Sequence, residues 1–164
     1  MKRVVVAFTA VVIIAIGCIA SVAGSTKTRA ADEDNIREAV YRYQFQHNAS
    51  ALRQNAKAYF LGIEKGKGVA DPSDAFMKRF AGNKPPAKKW SQAQFRPDKG
   101  IVDKATGERG LGFHTGAIKW ISRAKVEVEG GYQEASLSAS ENTYTLVKKG
   151  SRWVVTQDRL RAIS

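Results

Sequence analysis

From Leu111 to the C-terminus, apolar and polar residues alternate with a period of two, and turn residues interrupt the pattern at intervals. That period places successive side chains on opposite faces of a strand. Residues 111–122 and 125–135, each rich in Val, Ile, Trp and Tyr, are predicted as two strands, and 142–148 and 152–160, joined by Lys149-Gly150-Ser151, as a hairpin. Strict alternation assigns His114, Ile118 and Trp120 to one face, and Phe113, Thr115, Ala117, Lys119 and Ile121 to the other. Val126, Val128, Tyr132 and Glu134 share a face of the next strand, as do Tyr144 and Leu146 on theirs. Gly130-Gly131 is a candidate bulge that would re-aim Tyr132.

Upstream the period lengthens. Asp32-Glu33-Asp34 place acidic residues at a helix start, and Ile36, Ala39, Val40, Tyr43 and His47 recur at helical spacing. Residues 50–63 fit either a helical stripe through Leu52, Ala56, Tyr59, Phe60 and Ile63 or a short buried strand; the glycines that follow favour a strand from about Ala56. Asp71-Pro72-Ser73-Asp74 reads as a helix start with Asp71 as cap and Pro72 at the first helical position. Phe76, Met77 and Phe80 make that helix's apolar face, and Gly82 with Pro85-Pro86 ends it. Residues 87–96 are expected as one strand and 97–110 as a polar loop. The order is helix, strand, helix, then five strands in a meander, an α+β domain whose antiparallel sheet has one face for helices to cover.

The N-terminus decides the expected compartment. Lys2-Arg3 precede an apolar run over 4–23, the charged-then-apolar order of an export signal. Three outcomes stay open: cleavage after Ser21-Val22-Ala23, lipidation of Cys18 in the lipobox-like Ala15-Ile16-Gly17-Cys18, or retention as an anchor, since twenty residues suffice to cross a bilayer core. Each puts the domain in the bacterial envelope, tethered to the membrane or released. Residues 24–31 read as a short tether and 32–164 as the domain. Cys18 is the sole cysteine, which excludes an intramolecular disulfide and a cysteine-built metal cluster.

The chain carries 27 basic and 15 acidic residues, a formal charge of +12, or +10 once Lys2 and Arg3 leave with the leader. Such a field favours anionic surfaces. The densest basic cluster surrounds the second helix's end, with Lys84, Lys88 and Lys89 as anion-binding candidates beside Trp90. It lacks the interleaved aromatics of a single-strand platform, so no nucleic acid is expected. Gly66-Lys67-Gly68 lacks phosphate-loop spacing, and Asn48-Ala49-Ser50 is a glycosylation sequon relevant only to a eukaryotic secretory route. His47 and His114 lie in separate elements without an acidic spacing motif, so neither metal nor cofactor is expected.

The element order, ending in Tyr144-Thr145-Leu146-Val147-Lys148-Lys149-Gly150-Ser151-Arg152-Trp153-Val154-Val155-Thr156-Gln157-Asp158 with its basic residues, glycine turn, Trp and alternating aliphatics, resembles the nuclear transport factor 2-like superfamily, also called ketosteroid isomerase-like or cystatin-like. In particular the chain looks like its small exported bacterial members of unassigned activity. The resemblance implies a cone: a curved sheet wrapped around helices with a pocket between them. It spans isomerases, dehydratases and members that only bind or dimerise, so function must come from the site. Tyr59, His114, Trp120, Tyr132 and Tyr144 are the candidate pocket residues. No carboxylate aligns with an isomerase base, which leaves His114 as the sole catalytic candidate, acting with a tyrosine hydroxyl. A module binding a small apolar ligand, or forming a homodimer, is the leading expectation; an isomerase or dehydratase, or a basic module on anionic envelope polymers, are the alternatives.

Overall fold

The structure, a computed structural model, describes residues 20–136 and 138–164. Cys18 and most of the apolar run expected as a leader lie outside the described residues, and among those described no helix is long and apolar enough to cross a membrane. The fold is mixed α+β: an N-terminal helix lies against an open, curved, mostly antiparallel sheet. Helix α1 (Ala20–His47) is followed by β1 (Tyr59–Lys65), β2 (Gly68–Ala70), the single turn α2 (Asp74–Met77) continued as 3-10 helix over Lys78–Phe80, and β3 (Ala87–Lys89). After a 3-10 turn at Trp90–Gln92 come β4 (Ala93–Arg96), β5 (Gly100–Asp103), β6 (Leu111–Ser122), β7 (Lys125–Ala135), β8 (Ser138–Lys149) and β9 (Arg152–Ile163).

The sheet order is β2-β1-β6-β7-β8-β9, with β3 parallel to the first half of β1 and β6 parallel to β1. Strands β4 and β5 form a separate antiparallel ribbon. Strands β6 to β9 are the meander expected from the alternation, and β8 and β9 turn through Gly150, whose φ of 62° suits a residue without a Cβ.

Helix α1 straddles two apolar clusters on the inner face of the sheet. Ile36 and Val40 pack with Val126, Val128, Tyr144, Leu146 and Trp153; Tyr41 and Phe45 pack with Tyr59, Leu61, Phe76, Phe80, Leu111, Phe113 and Tyr132. Between them runs a polar seam. Arg37 donates to Thr115 Oγ1 (2.9 Å) and the Gly116 carbonyl (2.8 Å), Tyr41 to the Gly62 carbonyl (2.5 Å), and Gln44 Nε2 to the His114 and Gly131 carbonyls (3.2 Å each). Spacings of four and three keep 37, 41 and 44 on one stripe of the helix. On the outer face Phe60 packs with Ala58 and Ile101 under the β4–β5 ribbon, joined by Trp90 and Ala93.

Several expectations need correction. Residues 24–31, expected as a tether, are helical within α1. The helix buries Tyr41, Gln44 and Phe45 as well as Ile36 and Val40, whereas His47 is exposed and stacks on Tyr43 at 4.1 Å. Ser73, not Asp71, caps α2, its hydroxyl accepting from the Phe76 N–H at 3.1 Å; Asp71 instead accepts from Ser91. The strand expected over 87–96 is split by the turn at Trp90–Gln92. The loop expected over 97–110 contains β5, whose Ile101 and Val102 are buried; a four-residue strand between charged turns has too short an alternation to be recognised.

The faces of β6 also differ. Thr115 pairs with Gly130, but Ile118 pairs with Val128, so β6 holds one extra residue at Gly116–Ala117. Phe113 and Thr115 before this bulge and Ile118 and Trp120 after it all face inward, while His114 faces outward. Gly130-Gly131, the expected bulge, pairs with β8 without a shift.

Two outcomes test this packing. Phe113 is fully buried among aromatic rings, so Phe113→Ala is expected to cost about 3–5 kcal/mol of unfolding free energy, read by denaturant titration; a loss under about 1 kcal/mol would contradict the packing. Asp32 accepts from Lys148 Nζ at 3.0 Å and Trp153 Nε1 at 3.3 Å, tying α1 to the final hairpin. The Lys148 hydrogen bond holds its carboxyl below the usual carboxylate value. The unfolded chain therefore takes up this proton first, and the stabilisation, complete above about pH 4, is lost as pH falls through the depressed folded value. In Asp32→Asn that part of the acid sensitivity is expected to disappear; an unchanged slope of stability against pH below 4 would exclude the tie.

Candidate functional site

A cavity of about 460 Å³ lies between the last turns of α1 and the inner face of β7, β8 and β9. Helix residues Tyr43, Gln44 and His47 form one wall, and Tyr132 of β7 contributes a ring. The other wall is three cross-strand pairs of the final hairpin: Tyr144 with Asp158, Asn142 with Leu160, and Ser140 with Ile163.

That wall depends on two single-residue offsets in β9. From the turn, Lys149 pairs with Arg152 and Leu146 with Val155, but Thr145 then pairs with Gln157, leaving Thr156 unpaired. A second shift leaves Arg161 unpaired between Leu160 and Ala162. A strand slipped by one residue turns its other face inward. Regular pairing would have set Gln157, Arg159 and Arg161 opposite Tyr144, Asn142 and Ser140; the bulges put one carboxylate and two aliphatic side chains there instead.

Gln44 Nε2 also donates to the Tyr144 hydroxyl at 3.3 Å, which leaves the Tyr144 O–H proton free to donate. Burial pushes the ionisation of Tyr144 far up, so it stays a neutral donor. Asp158 accepts from Asn142 Nδ2, and Asn142 Oδ1 accepts from Ser140 Oγ at 2.9 Å. Leu160 and Ile163 are more than half exposed at the rim. The cavity thus combines aromatic and aliphatic walls with a phenol donor and a carboxylate acceptor.

Of the expected pocket residues, Tyr132 and Tyr144 line this cavity and three do not. Tyr59 is buried against Phe45 and Phe113. Trp120 meets Trp153 edge to face at the opposite end of the hairpin. His114 lies on the outer face, its Nε2 3.2 Å from Glu64 and 3.1 Å from Glu141, so the expected partnership of His114 with a pocket tyrosine does not form. The β6 bulge is the reason: it sets Ile118 and Trp120 on the side opposite His114.

Two of the three expected anion-binding lysines have acidic partners. Lys88 is paired with Asp103, and Lys89 with Asp74 at 2.7 Å; the Lys88 hydrogen bond holds the Asp103 carboxyl below its usual range. Lys84 is exposed.

Gln44, Asn142, Ser140 and Asp158 were not foreseen. Extending the inward face of Tyr144 by twos would have found Asn142 and Ser140, and Gln44 sits one turn from Val40. No periodicity could place Asp158, whose position follows from the bulge at Thr156. Compared with known proteins, the chain matches no family model, no curated protein and no solved structure.

Burial raises the ionisation of all five tyrosines: Tyr41, Tyr43, Tyr59, Tyr132 and Tyr144. Absorbance titration of the native protein is expected to show phenolate forming only above the usual value of about 10, with Tyr41 and Tyr144 last and coincident with alkaline unfolding. Five phenols titrating normally near pH 10 in the folded protein would be incompatible with these placements.

Proposed function

We propose that this is an exported envelope protein of the nuclear transport factor 2-like superfamily, a non-enzymatic module that holds a small, largely apolar ligand in the cavity between α1 and the final hairpin. The carrying observation is the composition of that cavity. At about 460 Å³ it lies within the range of about 300–1,000 Å³ usual for small-ligand sites. Three tyrosine rings, Leu160 and Ile163 accommodate an apolar body, Tyr144 donates to one acceptor on it, and Asp158 accepts from a hydroxyl or amine. A curved sheet closing on a helix around such a space supports the cone expected from the element order. Lys2-Arg3 and the apolar run over 4–23 support export, with the domain released, lipid-anchored through Cys18, or held by the run itself.

A second reading is favoured by one observation: Asp158 and Tyr144, a carboxylate and a neutral phenol, share one cavity, the pairing an isomerase-type enzyme would use as base and hydrogen-bond donor. A catalytic role would pass to these two residues, because His114 is on the other face.

Ala49 lines the cavity and is exposed, so Ala49→Trp is expected to fill it without disturbing the core. Lipophilic small molecules extracted from the purified full chain and identified by mass spectrometry are expected to be depleted at least tenfold in Ala49→Trp and reduced in Asp158→Asn. Equal recovery from all three proteins would exclude the cavity as a binding site. Conversion of the recovered molecule by the native chain, abolished in Asp158→Asn, would replace the binding reading with the enzymatic one. Cell fractionation tests location: the unprocessed chain found soluble in the cytoplasm would refute export.

A further inference from the structure

The outer face carries a second site, on the side of the sheet opposite the cavity. Glu64 of β1, His114 of β6 and Glu141 of β8 converge there, with ligating atoms all within 4.8 Å of one another. His114 is buried while the two glutamates remain partly exposed, so the focus lies at the surface with its nitrogen held from beneath.

Three observations distinguish this group from a chance cluster of charges. First, both carboxylates approach the same nitrogen, at 3.2 and 3.1 Å. A single N–H can point along its axis at one of them, whereas a cation at the common focus serves all three donors. Second, the spacing fits a coordination sphere: ligand bonds of about 2.0–2.2 Å arranged tetrahedrally put neighbouring ligand atoms roughly 3.3 Å apart, close to the two observed separations. Third, the strand register brings the donors together. Gly62, His114, Gly131 and Glu141 lie in one cross-strand row, with a glycine on either side of the histidine. At Gly131, the strand between His114 and Glu141 therefore has no side chain to separate them. At Gly116 a Cβ would come within 2.5 Å of Glu64 Oε2, so a larger residue there would shift that carboxylate from its position beside His114.

We propose that Glu64, His114 and Glu141 form a binding site for one divalent first-row transition cation, with zinc the best fit to a donor set of one imidazole and two carboxylates. The three protein ligands leave a further coordination position open to solvent, because the glutamates are exposed on that side. The cation would cross-link β1, β6 and β8, strands contributed by distant parts of the chain, on the face that α1 does not cover.

The test uses the full chain in mild detergent, without a histidine tag and stripped with a chelator. Titration with zinc chloride by calorimetry is expected to show one saturable equivalent per chain, and cobalt chloride to give a visible absorption band that zinc displaces. Both Glu64→Gln and Glu141→Gln remove a ligand charge at a partly exposed position; each is expected to weaken zinc binding at least tenfold while the metal-free protein keeps its circular dichroism and melting temperature. Gly116→Ala is expected to weaken binding by displacing Glu64 without altering any ligand. Zinc should raise the melting temperature of the native chain and not that of Glu64→Gln. Absence of a saturable equivalent in the native chain, or native-like affinity in both glutamine variants, would overturn the site and leave a histidine in contact with two glutamates. Because the cavity is on the other face, ligand recovery in Glu64→Gln is expected to match the native protein, which keeps failure of this site distinct from failure of the cavity.

Discussion

The extra residue at Gly116–Ala117 in β6 is the constraint on which the rest of the molecule depends. Before it, Phe113 and Thr115 face α1; after it, Ile118 and Trp120 do, so one long strand supplies both inner apolar clusters. A bulge interrupts the ladder and leaves backbone groups without a neighbour in the sheet. Here the Gly116 carbonyl is satisfied by Arg37, and the adjacent Thr115 hydroxyl by Arg37 and Tyr41. The helix is thereby seated at the irregularity and held there by directional bonds, with apolar packing on both sides.

That seat fixes the chemistry on each face. With Arg37, Tyr41 and Gln44 bonded to β1, β6 and β7, the cavity is the space left beside the last turns of α1 and the inner face of the final strands. Gln44 belongs to both features, since its amide binds the sheet backbone and the Tyr144 hydroxyl. Asp32 and Lys148 tie the middle of the helix to the hairpin. Tyr144 is thus a neutral donor because of burial on one side and Gln44 on the other.

On the outer face the same geometry has a different use. His114 is adjacent to Thr115 in the chain, and orienting Thr115 to the helix orients His114 away from it. Gly131, which pairs with it on β7, puts no side chain between His114 and Glu141 of β8. A chain with a strong positive balance thus gathers two glutamates around one imidazole. Some of its basic side chains are engaged in pairs, among them Lys88 with Asp103, Lys89 with Asp74 and Arg161 with Glu129.

What the sequence determined by itself was local and periodic. The four long strands, the turn at Gly150 and the helical stretch after Asp32 were legible because a run of ten or more residues repeats its period several times, whereas the expected start of that helix at Asp32 was not met, since α1 already runs from Ala20. The short elements were not: β5 is too brief to show alternation, and α2 offered two capping residues, of which Asp71 was drawn away by Ser91. Tyr132 and Tyr144 were legible as cavity residues, since alternation from their buried neighbours places them inward. Asp158, His114 and the Glu64–His114–Glu141 group were decided only by the tertiary structure. A one-residue bulge reverses every side chain beyond it, and whether a strand bulges depends on the partner strand and the helix that must be satisfied there, neither of which is local in the chain. Residues 64, 114 and 141 share no element and no spacing; parallel pairing of β1 with β6 and a glycine row through β7 bring them together.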